Sequence, residues 1–503
     1  MQDAGRVESP GMRDRFAWLR QPWVLLSAVL LLLNAGLFVY SETMAFVWDE
    51  GFHLVAAQLI AWGKTPYIDF AFPQTLLNAY FNAGVLRMVS HSWQAVHAFD
   101  ALFIAGTVWL AATYIMRRFP DERWRLTCAI TAACLVGFNT VVIAFGPVAQ
   151  AYGSGMFLAF AAFRVAVKSV DRTTVWLTFC AALLAGAAAG STLLAAPVLP
   201  VLLIWILVEN RAGSRSAKFV AFSLGAIIPF APEIWLLLRA PKQTFFNVVQ
   251  YQALFRRVNW GDVGSHDFDV FTDWTVSAET LLLGLLGLIG IFFIAKRSDW
   301  SRTLRGEFYL AGWIALALGV YIGTAHPTFG RYFISMIPFM AVVASAGFYY
   351  TASRLVSPDR PRWPAAILVF ILAASATKYV FDDRDSTNWH DYAKIAAKIK
   401  EVTPNGGEYM ADEMVYFLLR QTPPPGMEFS YSHKLQLSSR EEARYHIVSL
   451  NELKQQVSKG RFATLETCKD EVVDDFELNK YFPNKEEFED CTVFWRDKNK
   501  TAK

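Results

Sequence analysis

Cysteine is scarce, with 5 residues in a chain of 503. Cys128, Cys134 and Cys180 fall inside long uncharged runs and read as small apolar fillers. Cys468 and Cys491 are the remaining pair; outside the cytoplasm they could be bridged, although sequence does not show whether their Cα atoms approach. No Cys/His spacing suggests structural zinc. Charge is also thin over most of the chain: residues 381–503 hold 23 Asp/Glu and 18 Lys/Arg, against 44 and 47 in the whole. Internal repeats and low-complexity tracts are missing, and the tail has neither a phosphate-binding glycine loop nor a nucleophile elbow. The basic residues are scattered among connections rather than gathered in one patch, which excludes a nucleic-acid footprint. Without repeats, or charged residues grouped at mid-membrane depth, a secondary transporter is disfavoured.

What is abundant is apolar surface. Hydrophobic residues make up 54% of the chain, with 40 Phe and 17 Trp, and the mean hydropathy is +0.28. That exceeds the needs of a soluble core and implies a polytopic membrane protein. Apolar runs fall at 22–40, 94–116, 126–145, 148–167, 174–190, 193–208, 219–239, 276–295, 308–324, 333–351 and 364–380. Each is read as a span of the ~30 Å hydrocarbon core, about eleven in all. Arg6, Arg13, Arg15 and Arg20 precede the first run, which is too long for a cleaved signal and is compatible with an uncleaved signal anchor. Alternate connections are rich in arginine and lysine, as at Arg117, Arg118, Arg123 and Arg125, or Lys296, Arg297, Arg302 and Arg305. By the excess of base in cytoplasmic loops, those connections and the N-terminus are cytoplasmic. The expected division is a membrane domain over 1–380, with long outer loops at 42–93 and 240–275, and a small periplasmic α/β domain over 381–503.

The first long loop holds adjacent carboxylates, Asp49 and Glu50, followed by His53. If this piece is helical, Asp49 and His53 share a face. The two acids could equally cap that helix, and Asp69 could serve a turn. The second loop mixes aromatics with Arg256, Arg257 and His266, as an interfacial segment would. Arg331 stands at the membrane edge beside Tyr332, where a guanidinium can grip a phosphate in bidentate fashion, or else pair with an acid such as Asp69 or Glu279. Asp100 reads as a satisfied interfacial acid, and Arg164, Glu233 and Glu279 are treated alike.

In order along the chain come WDEGFH, GKTPYIDF, FPQTLLNAYF, GRYFISMIPFMAVVASAGF and WHDYAKIAAKIKEVTPNGGEYM. This series resembles the GT-C superfamily of integral membrane glycosyltransferases, near the protein O-mannosyltransferases and the aminoarabinose and galacturonic acid transferases of lipopolysaccharide. The resemblance covers the membrane domain and the start of the tail. It implies an inverting transfer of a sugar from a polyprenyl-phosphate carrier to a lipid, glycan or protein acceptor, at the outer face of a bacterial inner membrane. Asp49 would then be the base. Arg331, or Arg256 and Arg257, would hold the departing phosphate. Glu50 would bind sugar or acceptor hydroxyls or help hold a cation, Asp69 would supply a further carboxylate, and His53, His266 and Tyr332 would line the substrate. Asp49, Glu50 and Asp69 could hold Mg²⁺ or Mn²⁺ through oxygen. Two departures stand out. Phe72 occupies the place where several relatives carry a base for the lipid phosphate, and the turn between the third and fourth spans offers Gln150 where some relatives place an acid. A lipid-linked oligosaccharide polymerase or ligase is the alternative, and would lean on loop arginines more than on an Asp-Glu pair.

In the tail, periodicity predicts helices over 389–402, 412–420 and 450–459. Strands are expected at EYMA, ARYHIVSL, RFATLETC and CTVFWR.

Overall fold

The structure is a computed structural model that describes residues 21–258, 260–357, 360–383 and 387–497. Every expected span that the sequence marks coincides with a helix. Among the described residues, seven helices are long and apolar enough to cross a membrane: α1 (Pro22–Thr43), α4 (Trp93–Arg118), α9 (Arg215–Arg239), α11 (Ala278–Lys296), α12 (Arg302–Gly323), α13 (Gly330–Leu355) and α14 (Arg362–Asp383). Shorter apolar helices α5 (Arg125–Gly137), α7 (Trp176–Ser191) and α8 (Leu193–Val208), with α6 (Ala151–Ser169), complete the bundle. Two helices of the first long loop, α2 (Glu50–Ala61) and α3 (Leu77–Met88), lie between α1 and α4, and α10 (Val263–Val276) precedes α11. The chain is a multi-pass membrane protein.

Why the helices face as they do is visible on α1. Leu26, Leu30, Leu33 and Leu37 recur every three or four residues and are buried, while Leu31, Leu32 and Val39 are exposed. Apolar residues on the exposed side suit lipid, where every backbone group must bond within the helix. At the other extreme α13 is encased, 89% of its apolar window being buried. Its small residues allow that. A Cβ on Gly347 would stand 1.9 Å from the Leu286 carbonyl oxygen, and one on Gly290 would stand 2.2 Å from that of Val343. The α11 and α13 backbones therefore touch through glycine, as small-residue seams permit in membranes.

The tail opens with α15 (Trp389–Val402), started by a capping box between Asn388 and Asp391. It continues through β1 (Glu408–Met410), α16 (Glu413–Leu419), β2 (Phe462–Thr467), β3 (Asn484–Phe488) and β4 (Cys491–Trp495). The sheet order is β1-β2-β4-β3, parallel at β1/β2 and antiparallel elsewhere. A Cys468–Cys491 disulfide joins the end of β2 to the start of β4. Residues 443–450, expected as a strand, are not one. A Ser438–Glu441 capping box winds Ser439–Tyr445 into helix, left-handed His446 ends it, and Ser449 starts Leu450–Ser458. The charged strand β3 went unforeseen because its side chains are largely exposed at the sheet edge.

One face of the tail sheet has its own core, with Phe462, Leu465, Phe476 and Phe494. The other face does not close on itself. Tyr392, Ile395, Val415 and Val493 share a continuous core with Phe52, Val55, Leu59, Phe70 and Phe72 of the first long loop. The axes cross tightly at Gly51, whose Cβ would meet Met414 Cγ at 3.0 Å. The tail is thus pressed onto α2, and α2 carries the acidic pair.

Replacing Gly347 or Gly290 by Val forces the α11/α13 seam apart, an overpacking cost of about 2 kcal/mol or more. The expected outcome is a lower yield of monodisperse protein in fluorescence size-exclusion chromatography and a lower Tm, with Gly36→Val, in open space, unaffected.

Candidate active site

Asp49 and Glu50 are neighbours with opposite fates. Successive helical residues project about 100° apart, so one carboxylate enters the interface with the tail and bundle while the other turns toward the cavities. The Glu50 side chain is fully buried. Its Oε2 accepts from His97 Nε2 at 2.8 Å and from the Ala149 amide at 3.2 Å; its Oε1 accepts from Trp389 Nε1 at 3.0 Å and from the Val47 amide at 3.4 Å. His97 Nδ1 in turn meets the Ser41 carbonyl at 2.8 Å. Glu50 therefore ties α1, α4, the 146–150 turn and α15 together, and its expected role on sugar hydroxyls or a cation gives way to a structural one. Removing its carboxylate would orphan several buried donors.

Asp49 stands at the N-cap of α2 but makes no capping hydrogen bond with its side chain. Its Oδ2 is ion-paired with Arg331, and its Oδ1 accepts from the Tyr431 hydroxyl, delivered by the tail. The Arg331 side chain is 19% exposed and that of Asp49 16%. The guanidinium lies 4.3 Å from the Phe329 ring centroid, and its Nε is buried without a hydrogen-bond partner among the described residues. That is a donor left open beside the pair. Its partner is neither Asp69 nor Glu279. The Glu279 carboxylate accepts from Thr140 and Ser375 instead.

Two cavities lie near this pair, one lined by Asp49 and Arg331 and the other by Tyr332, next to Arg331 in the chain. One of about 990 Å³ contains Asp49, Arg331, Tyr431, Trp48, Trp260, Asn388 and Asp490. The other, about 510 Å³, contains His53, Gln252, Arg256, Arg257, Tyr152 and Tyr332. The Arg256 guanidinium donates to the Tyr332 hydroxyl and, at 2.7 Å, to the Pro327 carbonyl; Arg257 Nε donates to the His326 carbonyl at 3.3 Å. A π-helical stretch, Phe246–Phe255, ends just before these arginines. Such windings recur near functional sites. Tyr321 and Thr324 also line an apolar groove of about 980 Å³ between α8 and α12, which reaches Leu310 at the far end. At 1.5 Å per residue the groove follows α12 for about 21 Å.

His53 faces the smaller cavity, stacked on Phe52 at 4.2 Å. Burial pushes its imidazole down to about 4, outweighing the attraction of Asp49. Phe72, where relatives carry a base, packs its ring edge-on to His53 and has its amide held by Asn247 Oδ1 at 2.9 Å. The remaining expected residues lie elsewhere. Asp69 is exposed and accepts from the Thr65 amide at 2.6 Å, a turn role. His266 meets the Thr328 carbonyl at 3.1 Å and packs on Trp260, lining neither cavity. Asp100, expected to be satisfied, is buried with both oxygens unpartnered among the described residues. Glu233 holds the Leu76 amide at 2.8 Å, and Arg164 bonds the α4 backbone at Leu110.

Residues missed by sequence reasoning are Tyr431, Tyr152, Trp389 and Asp490. Tyr431 lies 382 positions from Asp49, and no local pattern joins them. Among the described residues the cluster of possible metal ligands is Glu466, Cys468 and Cys491, whose cysteines are disulfide-bonded. Asp49 and Glu50 do not fit a divalent cation, since the first faces a guanidinium and the second has its oxygens filled by protein donors.

No protein-family model and no curated protein matches the sequence. Solved structures do. ArnT from Cupriavidus metallidurans bound to undecaprenyl phosphate superposes with a TM-score of 0.67 at 13% identity, over 95% of this chain and 98% of that one. The chain has the GT-C fold. The Archaeoglobus fulgidus oligosaccharyltransferase superposes with a TM-score of 0.51 at 13% identity, over 92% of this chain and 71% of that one. EmbB, an arabinosyltransferase from Mycobacterium smegmatis, gives a TM-score of 0.50 at 11% identity, over 84% and 45%. Within this fold Glu50 and Asp49 of the first loop are contacted from both the bundle and the tail.

Two outcomes are expected. Glu50→Ala leaves buried donors unmet at about 3 kcal/mol, so the purified variant should unfold at a clearly lower Tm. His53 should contribute to acid sensitivity. Its pKa is about 4 in the fold against 6.5 as the reference value, so the fold favours neutral imidazole. That contribution is full above pH 6.5 and is lost as pH falls toward 4. His53→Gln should therefore shrink the Tm drop between pH 7 and pH 5.

Proposed function

We propose that this protein is an inverting glycosyltransferase that takes a sugar from a polyprenyl-phosphate carrier and passes it to an acceptor hydroxyl at the outer face of a bacterial inner membrane, with the tail on the periplasmic side. The observation that carries the reading is the position of Asp49, a carboxylate lining a cavity with aromatic and polar walls and paired with Arg331, whose chain neighbour Tyr332 lines an arginine-bearing cavity that shares Tyr321 and Thr324 with an apolar groove.

The chemistry follows from that placement. A lipid phosphate in the smaller cavity has Arg256 and Arg257 in its wall together with Tyr332, the chain neighbour of Arg331, while the groove along α8 and α12 accepts the isoprenoid chain. The acceptor enters the larger cavity. Asp49 takes the proton of its hydroxyl as the oxygen attacks the anomeric carbon from the face opposite the phosphate. The bond between that carbon and the phosphate oxygen breaks, and the electron pair leaves with the phosphate. Guanidinium groups stabilise the charge that accumulates there, and they do so most where water is excluded. In the state described, Arg331 sits on Asp49. An arriving phosphate competes for the same guanidinium, which returns the carboxylate to base duty when the donor is in place. Support for a lipid-linked donor comes from the undecaprenyl phosphate bound to ArnT and from the agreement of fold over nearly both whole chains.

Membranes containing the protein are to be supplied with a panel of radiolabelled polyprenyl-phosphate sugars and the labelled product isolated. One donor should label an endogenous acceptor, Asp49→Asn should lower the rate by about 10²–10⁴-fold, and joint replacement of Arg256 and Arg257 by Ala should lower it as well. Full activity in Asp49→Asn, with activity lost only in the double arginine variant, would instead favour the polymerase or ligase class.

A further inference from the structure

The tail encloses a cavity that the transfer step does not use. It measures about 710 Å³ and lies between α16, the 427–434 segment, β2 and the short helix Asp470–Asp475. Two of its lining residues, Trp48 and Tyr431, also line the cavity that contains Asp49. The spaces therefore share a wall of two aromatic side chains, one of which donates its hydroxyl hydrogen bond to the candidate base. A ligand that filled both would lie across Tyr431 with one end at Asp49.

The lining identifies the ligand by its chemistry. Glu413 and Glu466 bring buried carboxyl groups to the cavity and Asp412 a half-buried one. Tyr392 donates to Asp412 at 2.8 Å, the Ser430 amide to Glu413 at 2.7 Å, and the Asp412 amide to Glu466 at 2.8 Å, so their placement is set by the fold. Burial, reinforced for Glu413 and Glu466 by neighbouring carboxylates, raises all three above the usual carboxylate range, Glu413 to about 7. At about 7, the Glu413 carboxyl group both donates and accepts hydrogen bonds near neutral pH. Lys434 and Lys469 are further lining residues, and Trp48, Tyr431 and Phe476 offer ring surface. Carboxyl groups and rings in one pocket suit an uncharged, hydroxyl-rich ring, because sugar hydroxyls meet the former and sugar C–H faces the latter.

We propose that this tail cavity is a subsite for the second sugar residue of a neutral glycan acceptor, the first residue standing in the Asp49 cavity and the two joined across Trp48 and Tyr431. The proposal rests on the transferase reading. It makes the tail the selector of acceptors, favouring chains of two or more sugars over single ones.

The test uses the full-length protein in lipid nanodiscs and saturation-transfer NMR. Cellobiose, chitobiose and maltotriose are the neutral oligosaccharide probes; glucose and N-acetylglucosamine are their single-residue counterparts. At least one oligosaccharide should bind about tenfold more tightly than its monosaccharide, the scale of one or two well-placed hydrogen bonds. Glu413→Gln and Glu471→Trp should each weaken that binding about tenfold. Glu471 is an exposed lining residue, so its replacement narrows the cavity without disturbing a core. Absence of oligosaccharide binding to the wild type, equal binding of monosaccharide and oligosaccharide, wild-type binding by Glu471→Trp, or stronger binding of an oligogalacturonate probe would each overturn the subsite. Those results would leave the transferase reading standing if transfer still depends on Asp49. Binding sensitive to both variants in a protein for which no polyprenyl-phosphate sugar labels any acceptor would sink the transferase reading and leave a glycan-binding cavity.

Discussion

The contact between Asp49 and Arg331 is where the three parts of the chain meet. Asp49 comes from the start of α2, Arg331 from the opening turns of α13, and the hydroxyl of Tyr431 from the tail. A charge pair that has lost most of its water needs further hydrogen bonds and close packing to hold, and here the Phe329 ring and the Tyr431 hydroxyl supply them. The pair also forms part of the wall of the larger cavity, beside the residues that line the smaller one. Moving the tail off α2 would remove Tyr431 from Asp49 and Trp389 from Glu50 together. The tail is therefore part of the site, held there by a core that runs without a break from Phe52 and Phe70 to Tyr392 and Val493.

The two acids of the first loop divide the work of making that site. Glu50 is the anchor, because a buried carboxylate is tolerable only when its lone pairs are filled, and His97, Trp389 and two amides fill them. Asp49 is then carried on a fixed frame with its carboxylate toward the cavities. The neutral His53 beneath it adds no charge to the smaller cavity, so the positive potential there comes from the arginines. In the proposed reaction that arrangement keeps Arg256 and Arg257 on the phosphate side and the base, paired with Arg331, on the acceptor side.

Much of this was legible in the sequence because the bilayer leaves a strong mark. Eleven apolar runs became helices at nearly the expected places, since uncharged stretches of span length have few alternatives in lipid. The carboxylate at Asp49 and the guanidinium at Arg331 were visible as polar groups at the ends of such runs. Their direct pairing was not, because contacts between distant residues leave no local period. Nor could adjacent acids be told apart: Asp49 and Glu50 differ in role through helix rotation and through partners as remote as Trp389. The turn contact of Asp69 and the Thr328 contact of His266 were hidden for the same reason, as a polar residue in a long loop looks the same whether it closes a turn or faces a substrate. The strand β3 was hidden by its charge, which is what an exposed edge strand carries.

The most direct measurement is a cryo-electron microscopy structure of the protein in nanodiscs with a polyprenyl phosphate bound. The phosphate is expected in the cavity lined by Arg256 and Arg257, within hydrogen-bond reach of Arg331, with the isoprenoid chain along α8 and α12 and the Asp49 carboxylate released from the guanidinium. A phosphate seated away from all three arginines, with Asp49 still paired to Arg331, would contradict the account.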